Sequence, residues 1–122
     1  MVKTIDPNSP KGMKLPKGEN AYIPTSKLEG YLLSETHPVG KSKAGFFRQQ
    51  GFNESNVDLL AKGLLTMIQN EEIREVVSSS YGKKYVVTGK LQTPSGTSVR
   101  IQTVWIIEKP ENPPRFVTAY PV

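Results

Sequence analysis

The stretch Val57-Asp58-Leu59-Leu60-Ala61-Lys62-Gly63-Leu64-Leu65-Thr66-Met67-Ile68-Gln69-Asn70-Glu71-Glu72-Ile73-Arg74-Glu75-Val76-Val77 contains the change of period on which the fold turns. Up to Asn70, the apolar residues Val57, Leu60, Ala61, Leu64, Leu65 and Ile68 recur at intervals of three, four and seven. That spacing gathers them on one side of an α-helix. Asn53 to Asn56 offer several N-caps just ahead of it. Near Glu71 the period drops to two. β-Branched and aromatic runs follow over Ile73 to Val77, Lys84 to Leu91, Ser98 to Ile107 and Phe116 to Tyr120. Ser80-Tyr81-Gly82, Thr93-Pro94-Ser95-Gly96 and Lys109 to Pro114 separate them as turns. Connections this short join antiparallel neighbours and cannot carry a parallel crossover.

On the third strand Val99, Ile101, Thr103, Trp105 and Ile107 share one face, and Arg100, Gln102, Val104 and Ile106 share the other. Strict alternation on the last strand sets Arg115, Val117 and Ala119 against Phe116, Thr118 and Tyr120. One face meets the helices and the other is a working surface; alternation alone does not say which.

Upstream, Ser26 and Glu29 have capping-box spacing, and Leu28, Tyr31 and Leu32 share a helical face, which predicts a helix over about Ser26 to Ser34. Gly40 and Ser42 open a second helix that turns Ala44, Phe46 and Phe47 inward, and Gly51 stands where a terminating glycine belongs. Residues 1–20 carry three prolines, two glycines and four lysines, which predicts an extended basic arm ahead of one domain over 21–122. The expected fold class is α+β, with three N-terminal helices packed on a four-stranded antiparallel β-meander.

A chain of 122 residues supports one modest core. With no cysteine and one histidine, disulfides and Cys/His zinc sites are excluded, so the chemistry expected is metal-independent or carboxylate-metal, with no cofactor. No apolar run approaches about 18 residues and Met1 to Asp6 lacks a signal-peptide core, so no membrane span and a cytoplasmic location are expected. The net charge of +5 is concentrated early: residues 1–50 hold eight Lys/Arg against four Asp/Glu, and residues 51–122 eight against seven. Such a basic segment attracts polyanions or an acidic protein.

The stretch most like a site is Thr36-His37-Pro38-Val39-Gly40-Lys41-Ser42-Lys43. Imidazole titrates near neutrality, and lysines beside the amides of a helix start are a common phosphate cradle. A histidine before proline also serves as a plain turn residue, and lysines at a helix start as a solvated surface. Their combination points to phosphodiester chemistry.

His37-Pro38-Val39-Gly40-Lys41-Ser42-Lys43-Ala44 with Phe46-Phe47 and Gly51-Phe52, Tyr81-Gly82 with Tyr85, Thr103-Val104-Trp105-Ile106-Ile107, and Pro114-Arg115 with Val117-Thr118-Ala119-Tyr120-Pro121 together resemble a family of small uncharacterised bacterial domains. The resemblance covers about residues 15 to 121, and no activity attaches to that family. More distantly, helices followed by a four-stranded antiparallel sheet resemble the barnase, EndoU, colicin and RelE-like metal-independent ribonucleases, many of them toxins with a cognate inhibitor. This second resemblance rests on architecture and residue chemistry. It implies RNA as substrate, tRNA among the targets, a small acidic inhibitor protein as partner, and action in the cytoplasm of the producing cell or of a target cell.

Cleavage by the ribose 2′-hydroxyl needs a base, an acid and donors to the phosphorane. On this resemblance His37 supplies acid or base, and Lys41, Lys43, Thr118 and Tyr120 complete the catalytic set. Arg115, Tyr85 and Arg100 bind substrate. The second proton-transfer group stays open among Tyr85, Tyr120 and Glu35. The competing expectation is a non-enzymatic module that binds nucleic acid or protein; it needs positive charge but no titrating group.

Overall fold

The computed structural model describes residues 13–38 and 40–122. It is an α+β protein with three helices and a four-stranded antiparallel sheet. The helices are α1 (Thr25–Lys27), which widens at once into a π-helical turn (Leu28–Leu32), α2 (Lys41–Gln49) and α3 (Val57–Asn70). The strands are β1 (Ile73–Ser79), β2 (Gly82–Gln92), β3 (Ser98–Ile107) and β4 (Arg115–Pro121), in the order β1-β2-β3-β4. The N-terminal part is not helical throughout. Tyr22 ahead of α1 is extended and makes one isolated parallel bridge to Arg115, at the start of β4.

The helices cover one face of the sheet. Leu28, Leu32, Leu33, Phe47, Leu60, Leu64 and Ile68 meet Tyr85, Val87, Leu91, Ile101, Trp105, Phe116 and Ala119 there. Burying such side chains contributes about 1.5–3 kcal/mol each. The alternation in β3 is therefore resolved: Ile101, Thr103, Trp105 and Ile107 face the core, and Arg100, Gln102 and Val104 face outward. Thr103 is polar yet fully buried, and its hydroxyl is satisfied twice. It donates to the Val87 carbonyl at 2.8 Å and accepts from the Trp105 indole at 2.9 Å.

Three expectations are corrected. The Ser26 and Glu29 pair makes no capping box. Pro24 precedes α1 with no side-chain cap, and the helical segment ends at Leu32. A capping box forms instead at Asn53 and Asn56, ahead of α3. The arm expected over residues 1–20 falls outside the described residues up to Gly12, but from Met13 it is packed. Leu15 is a core residue at 4% exposure, and the Ile73 amide donates to the Met13 carbonyl at 2.7 Å.

Strict alternation also fails in β4. Trp105 pairs with Phe116 while Val104 pairs with Thr118, so Val117 is an extra residue at a β-bulge. Phe116 and Ala119 thereby both face the core, and Thr118 and Tyr120 face outward opposite Val104 and Gln102.

Candidate active site

The site is assembled around the π turn. The Leu33 amide donates to the Leu28 carbonyl at 2.8 Å, the wide i to i+5 closure of a π-helix. Arg48 from α2 serves the carbonyl left at its end, donating to Leu33 oxygen through Nε at 3.1 Å and Nη2 at 2.6 Å. The same guanidinium pairs with Glu54 and lies 3.5 Å from Glu35. That bridging holds the Glu54 carboxyl below its ordinary pKa, with the Arg48 hydrogen bond as the largest cause. Glu35 is thus turned toward Arg48 and out to solvent, at 74% side-chain exposure.

After the π turn the chain closes a tight loop on itself. Ser34 Oγ accepts from the Thr36 and His37 amides at 3.3 and 3.0 Å, and the Lys41 amide donates to the His37 carbonyl at 3.0 Å. The Gly40 amide donates to His37 Nδ1, also at 3.0 Å. That bond fixes the tautomer. Nδ1 spends its lone pair on an amide proton, so the neutral ring carries its hydrogen on Nε2 and acts as a donor. Gly40 is needed for close approach rather than for unusual backbone angles, its φ being −75°. A Cβ there would lie 2.2 Å from the Tyr31 carbonyl oxygen and 3.1 Å from Tyr31 Cδ1. The loop therefore presses on Tyr31.

Tyr31 is where the surrounding elements converge. Its hydroxyl is 3.0 Å from Thr118 Oγ1 on β4, and its ring meets the His37 imidazole edge-on at 5.1 Å. Lys27, one turn back on its own helix, and Lys43 in the first turn of α2 stand over the ring at 4.9 and 5.3 Å. Burial, the largest single influence, pushes the phenol up. Hydrogen bonds from Thr118 and Lys43 and the charges of Lys43 and Lys27 together outweigh it, and the pKa falls below that of an ordinary tyrosine.

His37, Lys43 and Thr118 are thus brought together. Tyr120 joins them at the rim, where it lines a cleft of about 500 Å³ with Ser42, Lys43, Phe46 and Pro121; its hydroxyl accepts from Gln102. Lys41 is exposed at the head of α2. The other expected residues lie apart from this cluster. Tyr85 is a core residue lining a different cavity with Gly82, Lys83 and Ile107, and burial pushes its phenol up. Arg100 is exposed, one pleat beyond Gln102 on the outer face, and Arg115 is ion-paired with Glu108 at 2.9 Å. The residues that sequence reasoning passed over are Tyr31, read only as part of an apolar helix face, and Lys27. Their spacing of four was the available signal.

Among the described residues no group of three or more His, Cys, Asp or Glu is placed to hold a metal ion, and no helix is long and apolar enough to cross a membrane.

The same fold occurs in a protein of known structure. A chain of the solved structure described as "Contact-dependent growth inhibition toxin - immunity protein complex from Klebsiella pneumoniae 342" superposes with a TM-score of 0.66. The identity is 16%, over 86% of this chain and 96% of that one, so the likeness is one of fold. No curated protein matches the chain. The profile of the family described as "Domain of unknown function (DUF6883)" matches residues 14–122, and the chain belongs to that family.

Proposed function

We propose that this protein is a metal-independent ribonuclease of toxin type, cutting RNA by attack of the ribose 2′-hydroxyl on the adjacent phosphate. One observation carries the reading: a histidine fixed as an Nε2–H donor, two lysines and a threonine hydroxyl gather around one half-buried tyrosine. A purely structural turn has no use for that gathering. Lys43, with Lys41 one residue before the cleft, binds the scissile phosphate. The His37 Nε2–H donates to an oxygen that gains charge in the phosphorane, the Thr118 hydroxyl holds that of Tyr31 at 3.0 Å, and Tyr120 forms the floor for a neighbouring base.

The fold neighbour supports the toxin reading because its description pairs a toxin with an immunity protein. The net charge of +5 suits the polyanion-binding member of such a pair. A small acidic protein competing with phosphate for the lysines is the corresponding inhibitor, and delivery into the cytoplasm of a target cell fits the same role.

The test is incubation with total RNA and with tRNA, with and without EDTA. Cleavage that resists EDTA and leaves 2′,3′-cyclic phosphate ends is expected. His37→Ala should lower the rate by about a hundredfold or more, the usual loss on removing a transition-state donor, while RNA binding is retained. RNA that is bound but never cut by the parent would instead support the non-enzymatic module.

A further inference from the structure

The cluster around Tyr31 supplies donors and cations but leaves one requirement of the reaction unmet. Something must take the proton from the attacking hydroxyl. His37 cannot do so as it is held, because its lone pair at Nδ1 is engaged by the Gly40 amide and Nε2 carries hydrogen. Glu35 is drawn away to Arg48, Tyr85 lines another cavity, and the Tyr120 hydroxyl faces Gln102.

We infer that Tyr31 is the general base of the site and that Lys43 is its acid partner. The inference rests on the ribonuclease reading and deepens it. Three elements converge on the phenol besides its own: the loop brings His37, α2 brings Lys43 and β4 brings Thr118. Lys27 adds a second cation from the same helical segment. Thr118 donating to the oxygen and two ammonium groups beside the ring are what a phenolate requires.

The step balances without a co-reactant. The 2′-hydroxyl proton passes to the Tyr31 oxygen, and the freed 2′-oxygen forms the new bond to phosphorus. The bond from phosphorus to the 5′-oxygen breaks, its electron pair staying on that oxygen, which takes a proton from the Lys43 ammonium. The phenol then returns its proton to the Lys43 amine, whose nitrogen stands 5.3 Å from the centre of the Tyr31 ring. The pair is restored to phenolate and ammonium, and the net change is one proton moved from the 2′-oxygen to the 5′-oxygen.

Tyr31→Phe keeps the ring and removes only the hydroxyl. The experiment compares kcat against pH for the parent, Tyr31→Phe and Lys27→Met, with thermal melting and binding of a 2′-deoxy analogue as controls. Titration of tyrosine absorbance near 295 nm accompanies it. Tyr31→Phe should lose about a hundredfold or more in kcat with unchanged analogue binding, the usual scale for a general base. It should also lack the earliest of the phenolate titrations. Lys27→Met, which removes one of the three titratable groups facing the phenol (Lys27, Lys43 and His37), should move the acidic limb of the profile to higher pH. A parent that cleaves while Tyr31→Phe keeps its rate and profile overturns the role of Tyr31 alone. A parent that cleaves no RNA overturns the ribonuclease reading and this role with it.

Discussion

Gly40→Ala tests whether the close approach of the loop to Tyr31 builds the site. The added Cβ would start 2.2 Å from the Tyr31 carbonyl oxygen and 2.9 Å from its carbonyl carbon. Ordinary contacts need about 3.5 Å, so loop and π turn must part by about 1 Å. Both obstructing atoms are backbone, which has no rotamer by which to yield. Overpacking of this kind costs about 1–3 kcal/mol. At about 2.1 cal/mol/K per residue of unfolding entropy, a loss of about 2 kcal/mol in a chain this long lowers Tm by about 8 °C. Gly45→Ala, inside α2, is the control. Its Cβ would meet nothing within 4 Å, so relief of the glycine penalty should stabilise the protein by about 0.5–1 kcal/mol. Urea unfolding and thermal melting read both variants, and RNA cleavage reads the displacement of His37 and Lys43 from Tyr31. If Gly40→Ala melts with the parent and cuts as fast, the loop does not depend on this contact and the account of how the site is held is wrong.

Two further outcomes are expected. Thr103→Val should cost about 1–3 kcal/mol in urea unfolding, because it leaves the buried Trp105 indole without its acceptor, and Thr103→Ser should recover most of that loss. Lys41→Ala and Lys43→Ala should each flatten the slope of log Kd against log salt for single-stranded RNA by about 0.7, one phosphate contact apiece; unchanged slopes would remove both from the phosphate site.

The features that were legible in the sequence are those set by local pattern. The apolar period of α3 and its break near Glu71 reflect burial on one face of a helix and then of a sheet, and both survive in the structure. The loop from His37 to Lys43 was legible because its hydrogen bonds are local: His37 to Gly40, His37 to Lys41 and Ser34 to His37. Tyr31 was not legible as a functional residue. Its partners come from positions 87 residues downstream and from another helix, and a tyrosine sharing a helical face with Leu28 and Leu32 reads as core. Tyr85 shows the converse error. The ribonuclease resemblance implied a substrate-binding role for it, but its place opposite Trp105 in the sheet puts it in the core.

Two single-residue irregularities account for most of the structure that pattern could not give, and each lies where a functional side chain enters the site. In β4, a straight strand continuing from the Trp105 to Phe116 pair would set Val117 against Val104 and Thr118 against Thr103, inside the core. The extra residue at Val117 turns Thr118 out to Val104 instead, on an edge strand that Tyr31 can reach. At the π turn, one residue more than an α-helical turn rotates the chain beyond it by about 100° around the axis relative to a regular helix. An extra residue is kept only where tertiary contacts over-determine it. Arg48 does so at the Leu33 carbonyl and Gly40 at the Tyr31 backbone. Their joint result is that the Tyr31 and Thr118 hydroxyls lie 3.0 Å apart, and that pairing ties the helical layer to the outer face of the sheet at the edge where Lys43 of α2 also stands.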